Sequence, residues 1–193
     1  MKTDQDLIQI VDAAMAEAAA RSGNWLACRI GCTQCCLGPF PITQLDAVRL
    51  REGLHELDRH DPERAVRVRE RAQEAAERIL RTYPNDPLRS VLDQEDAFED
   101  DPCPALDPET GACDLYTARP ITCRTFGPAV HFGSDSLAVC ELCYRGASDE
   151  EIAACEVEVD PEDLQGQLVR EVETSTGTQG ETIVAFALVH VSR

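Results

Sequence analysis

The chain has 193 residues, a formal net charge of −18 and a hydrophobic fraction of 43%, enough apolar material for one ordinary domain with its own core. Its 36 acidic residues against 18 basic ones repel phosphate, which excludes nucleic-acid and anionic-membrane binding as main functions. Ten cysteines are too many for ordinary packing and too few for a small disulfide scaffold.

The opening stretch, MKTDQDLIQIVDAAMAEAAARSG, has acids where a leader peptide carries bases. No stretch reaches transmembrane length, so the expectation is a cytoplasmic protein with reduced thiols. The same stretch predicts a first helix. Thr3 caps it, and Asp4 and Asp6 suit its positive end. Leu7, Ile10, Val11, Ala14, Met15 and Ala18 share one face, and Gly23 stops it.

Residues 24 to 41 hold Cys28, Cys32, Cys35 and Cys36 among Gly31, Gly38, Pro39 and Pro41, which predicts a loop folded around a ligand. A second helix starts at Thr43, with Asp46 answering the cap and Leu45, Val48 and Leu54 on its buried side. A third starts at Asp61-Pro62-Glu63, with Ala65, Val68, Ala72, Ala75, Ile79 and Leu80 inward. Glu63 with Arg67, Glu74 with Arg78 and Glu77 with Arg81 pair along its outside and read as a solvated face. Asp86-Pro87 opens a shorter helix ending about Asp93, followed by an acidic connection over 93–101.

Asp107-Pro108-Glu109-Thr110-Gly111 is a turn sequence. It predicts a short β-hairpin near 103–115, with Tyr116 and Phe126 packing it onto the helices. Ser148 and Asp160-Pro161 open two further helices, the first holding Cys155. The final segment, Thr182 to Val191, is apolar; periodicity alone leaves helix and buried strand open, and the helical character of the rest of the chain favours helix. The expected fold is mainly α: a single small helical domain, 1–193, around a cysteine-rich irregular metal-binding centre.

Cysteine thiolates select zinc, copper(I) or iron–sulfur clusters. Cys32-Thr33-Gln34-Cys35 and Cys140-Glu141-Leu142-Cys143 are C-x2-C units, each able to aim two sulfurs inward from one turn. Neighbouring cysteines such as Cys35 and Cys36 bridge each other only with backbone strain, which disfavours disulfides. A thiol–disulfide oxidoreductase ranks last, because no strand-then-helix pattern precedes Cys32 or Cys140. Histidine adds little. His131 is the nearest to a ligand, and Cys155 reads as a packed thiol.

Three pieces recur together: Cys28-Arg29-Ile30-Gly31-Cys32-Thr33-Gln34-Cys35-Cys36; Cys103-Pro104-Ala105-Leu106 with Gly111-Ala112-Cys113-Asp114-Leu115-Tyr116; and Arg119-Pro120-Ile121-Thr122-Cys123-Arg124. In this the chain resembles the CxxCxxCC family of zinc- or iron-chelating proteins, over about residues 25–145. The resemblance implies a zinc or iron site, with an iron–sulfur cluster as a further option. Its ligands would come from Cys28, Cys32, Cys35, Cys36, Cys103, Cys113 and Cys123, with Cys140 and Cys143 in a later position. Arg119 and Arg124 flank Cys123 and suit the negative charge of a thiolate cluster or an anionic substrate. A related signature in a flagellin lysine methylase implies the alternative, an iron–sulfur or iron-dependent enzyme. The residues show no catalytic triad, phosphate loop or dinucleotide fingerprint, so they assign no reaction, and the one partner they name is a metal ion.

Overall fold

A computed structural model describes residues 2–29, 31–94, 98–136 and 139–189. In chain order its helices and strands are α1 (Asp4–Ser22), α2 (Gln44–His60), α3 (Pro62–Thr82), α4 (Pro87–Asp93), α5 (Ile121–Thr125), β1 (Val130–Phe132), β2 (Asp135–Ser136), α6 (Asp149–Cys155), β3 (Val157–Glu158), α7 (Leu164–Thr176) and α8 (Val184–Leu188). The fold is mainly helical, as composition and periodicity predict. Its residues group into two compact units: Met1–Ile30 with Ile121–Thr176, and Gly31–Pro120 with Gly177–Arg193.

In the first unit α1 begins at a capping box. Thr3 Oγ1 accepts the Asp6 N–H, and the Asp6 carboxylate accepts the Thr3 N–H at 2.6 Å. Leu7, Val11, Ala14 and Ala18 are buried along one stripe, on the face that meets α5, α6, α7 and β3. The sheet has the order β2-β1-β3. β1 and β2 are antiparallel, with His131 opposite Ser136; β1 and β3 are parallel, with Val130 opposite Val157. Asp160 Oδ2 takes the Gln165 N–H at 2.7 Å, so α7 opens later than the Asp160-Pro161 pair suggests. Its buried residues are Leu164 and Leu168.

The second unit packs α2, α3 and α8 around Ile42, Leu50, Leu54, Val68, Leu115 and Val184. Each fully buried Leu, Ile or Val contributes about 1.5–3 kcal/mol of burial. α2 has its own capping box, Thr43 with Asp46. Asp61 and Asp86 cap α3 and α4, each with proline at the first helical turn. The inward face of α3 is Ala65, Val68, Ala72, Ala76 and Ile79, whereas Leu80 is 44% exposed. A helix advances 100° per residue, so Leu80 falls about 80° from the centre of that stripe and Ala76 about 40°. Ile42 and Thr182 exchange backbone hydrogen bonds at 2.8 and 2.9 Å, fastening the chain before α2 to the chain before α8.

Within the acidic connection, residues 95–97 lie outside the described residues. Phe98 packs edge-on against Tyr83, with centroids 6.2 Å apart, and Asp101 pairs with Arg78 at 2.6 Å. Phe126 and Tyr116 are 41% and 62% exposed, so neither is the packing anchor their aromatic character suggests. Among the described residues no helix is long and apolar enough to cross a membrane.

Candidate metal centre

Cys35 and Cys36 stand in a 3-10 turn, Gln34–Cys36, closed by the Cys36 N–H on the Thr33 carbonyl at 2.8 Å. The chain beyond runs antiparallel to the segment before Cys103. Gly38 N–H reaches the Asp101 carbonyl at 2.8 Å, Leu37 bridges Pro102, and Cys103 N–H reaches the Cys36 carbonyl at 2.7 Å. That short zipper sets Cys36 and Cys103 side by side.

From Cys103 the chain doubles back to Cys113. The Asp107 N–H bonds the Ala112 carbonyl and the Gly111 N–H bonds the Asp107 carbonyl, both at 2.8 Å. Gly111 sits at φ 67°, the left-handed region that glycine enters without strain. The Asp107 carboxylate takes the Glu109 N–H at 2.9 Å, which with Thr110 holds it below the usual carboxylate range. The expected hairpin is thus a tight turn closed by one antiparallel bridge, Leu106 with Cys113, backed by the Asp114 N–H on the Ala105 carbonyl at 2.7 Å. Cys103 and Cys113 both pack against the core of the unit.

Two arginines of α3 hold this doubled-back segment in place. The Asp114 side chain is 1% exposed; Arg64 Nε bonds one of its oxygens and Arg71 Nη2 the other. Arg71 Nε also donates to the Pro104 carbonyl at 2.8 Å. Sequence reasoning missed all three residues. Their signal was Arg64 and Arg71, seven residues apart beside the Val68–Ala72 apolar stripe, with one acid directly after a ligand candidate.

The four thiols of this segment feel one another's charge. Cys35 is pushed down to about 6, first because the Cys36 thiol donates to it, with burial opposing and Arg119 assisting. Cys36 is pushed far up by the same shared hydrogen bond, by burial, and by Cys35, Cys103 and Cys113. Burial pushes Cys103 up to about 11, opposed by the nearby backbone N–H groups of Ala105 and Leu106. Burial also raises Cys113, opposed by the Leu115 N–H and by Arg119. Arg119 lies with its guanidinium 3.9 Å over the Tyr116 ring and Nη1 3.0 Å from the Tyr116 carbonyl, so its charge is held on the thiol side of the turn.

The other expected site residues divide by unit. Cys32 belongs with Cys35, Cys36, Cys103, Cys113 and Arg119; Cys28, Cys123, Cys140, Cys143 and Arg124 belong to the first unit. There Arg124, its side chain 4% exposed, pairs with Asp12 of α1 at 2.9 Å. The sulfurs of Cys28 and Cys143 are 4.0 Å apart. Cys155 is buried and donates to the Arg21 carbonyl at 3.5 Å, the behaviour of a packed thiol. His131 turns Nδ1 to the Gly133 carbonyl at 2.8 Å.

A model of the CxxCxxCC family, described as "Putative zinc- or iron-chelating domain", matches residues 27–144. The chain belongs to that family. The match covers every cysteine except Cys155. Comparison with curated proteins and comparison with solved structures each found no match.

A zinc- or iron-chelating role suits this donor set in kind and number: four soft sulfurs, two of them with backbone N–H groups near enough to favour the thiolate. Among the described residues no three His, Cys, Asp or Glu side chains stand gathered closely enough to close on an ion. The backbone contacts that set Cys36 beside Cys103, and fold Cys103 back towards Cys113, are in place. The cavity beside Cys103, lined by Phe40, Ile79, Phe98 and Ile183, is about 30 Å³, room for one water and far below a small-molecule pocket.

Proposed function

We propose that this CxxCxxCC member chelates a zinc or iron ion through Cys35, Cys36, Cys103 and Cys113, with Arg119 offsetting the thiolate charge. The observation that carries this reading is the backbone frame that gathers these thiols: the Cys103 N–H on the Cys36 carbonyl at 2.7 Å and the antiparallel bridge of Leu106 with Cys113. Backbone N–H groups near the Cys103 and Cys113 sulfurs favour the thiolate, the form that ligates. A bound ion would supply a positive centre that four thiolates share. The chain's own part is to present the sulfurs. The zipper from Leu37 to Cys103 brings two of them together, and the Asp107–Gly111 turn adds the fourth. The clamp from Arg64 and Arg71 keeps that turn on α3.

The test is anaerobic purification followed by metal analysis and a visible spectrum. Wild-type protein should carry zinc or iron, and Cys103→Ser with Cys113→Ser should lose it. Full metal content in that double variant would overturn the ligand assignment. Strong visible absorbance in the wild type that the variant lacks would identify an iron–sulfur cluster on these thiols, the starting point for the enzymatic alternative.

A further inference from the structure

A cleft of about 430 Å³ opens between α2, α3 and the end of α8, all within the second unit. That volume lies in the range of small-molecule sites, unlike the small cavity beside Cys103. Among the described residues its lining includes no cysteine, so its chemistry is separate from that of the proposed metal centre.

Helical spacing assembles the lining. Arg51, Leu54 and His55 stand three and four residues apart on one face of α2. Arg69 and Gln73, four apart on α3, line the same cleft, and Leu188 and Val189 join them from α8. Leu54 and Leu188 are 6% and 7% exposed and belong to the core of the unit, and Val189 packs against it. The floor is therefore the edge of a close-packed core, and the rim is polar.

The charge of that rim runs against the charge of the chain. The sequence has 36 acidic residues and 18 basic ones. Among the described residues the lining holds two arginines, a histidine and a glutamine, and no acid. Arg69 is held by Asp58, 2.8 Å from its Nη1, which leaves Nε and Nη2 as further donors. Arg51 is partly buried, and no hydrogen bond or ion pair engages it among the described residues. Exposed charges more than about 8 Å apart are largely screened at physiological salt. A ligand in the cleft thus meets these guanidinium groups rather than the net charge of the chain.

We infer that this cleft binds a small organic carboxylate with an apolar body. Arg51 and Arg69 take the carboxylate, for which the planar guanidinium fork is matched. Gln73 and His55 supply further polar contacts at the rim, and the apolar body lies on Leu54, Leu188 and Val189. An inorganic anion would leave that floor uncovered, and a neutral molecule would leave the arginines without a counter-charge.

The test titrates the full-length, metal-loaded protein with octanoate at pH 7, beside octanamide and inorganic phosphate, and reads binding by saturation-transfer NMR. Octanoate should bind, with the amide and phosphate each at least about tenfold weaker, the scale of one charge-assisted hydrogen bond. Arg51→Gln should weaken octanoate by about tenfold, with metal content and melting temperature unchanged. Arg69→Gln should act in the same direction, whereas Arg81→Gln, on α3 outside the cleft, should bind as the wild type does. Absence of octanoate binding, amide or phosphate bound as tightly as the acid, or full affinity in both Arg51→Gln and Arg69→Gln would each overturn the assignment.

Discussion

Replacing Asp114 with alanine tests the frame of the metal centre without touching a sulfur. The carboxylate is 1% exposed and accepts from both Arg64 and Arg71, each a charge-assisted hydrogen bond of about 1.5–3 kcal/mol. Removing one partner of a fully buried ion pair costs about 3–5 kcal/mol, because the other charge is stranded. Here the stranded guanidinium side chains are 34% and 22% exposed, so both regain water and the loss falls to the low end, about 3 kcal/mol. With a urea slope of about 2 kcal/mol/M, the unfolding midpoint should drop by about 1.5 M at unchanged slope. Arg71→Ala combined with Asp114→Ala should cost at least about 1 kcal/mol less than the two single changes summed, since they break the same contact. A loss below about 0.5 kcal/mol for Asp114→Ala, or additive single variants, would refute the clamp.

Gly53→Ala should lower the melting temperature although alanine is the better helix former by about 1 kcal/mol. Its Cβ would lie 2.2 Å from the Ala118 Cβ, a clash of about 1–3 kcal/mol, and Ala118→Gly in the same chain should restore stability; a rise in the single variant would sink the packing argument. Asp107 is held below its ordinary value of 3.8, so its turn stabilises the folded state above that pH and loses its contribution as pH falls further. The stability gap between wild type and Asp107→Ala, measured by denaturant unfolding, should therefore be present at pH 6 and shrink below about pH 4; a gap that widened on acidification would reverse the sign. Arg119→Gln should change folding stability by no more than about 1 kcal/mol, the scale of an exposed cation–π contact, yet weaken metal retention against a competing chelator. Equal retention in both proteins would remove Arg119 from the centre.

The helices were legible because their signals are local. Thr3 with Asp6, Thr43 with Asp46, Asp61 before Pro62 and Ser148 with Glu151 each close a contact within three residues, and such contacts need nothing from the rest of the chain. The family was legible for a similar reason, since spacing within Cys28–Cys36 and around Cys113 and Cys123 is a property of short segments. Leu80 and Ala76 mark where local reading begins to fail: both fit a helical stripe, and only the direction of the neighbouring helices selects Ala76.

What the amino-acid order determined alone was a mainly helical chain with thiols concentrated in two irregular stretches. Which thiols share a neighbourhood was decided by tertiary structure. Cys36 meets Cys103 through a backbone bond that α2, α3 and α4 must first be folded to allow. Arg124, beside a cysteine in sequence, is paired with Asp12 of α1. Arg64 and Arg71, which no local pattern singled out, hold the buried Asp114. The physical reason is common to all three. Ligation, ion pairing and burial depend on separation in space, and across many tens of residues that separation is set by chain reversals rather than by spacing.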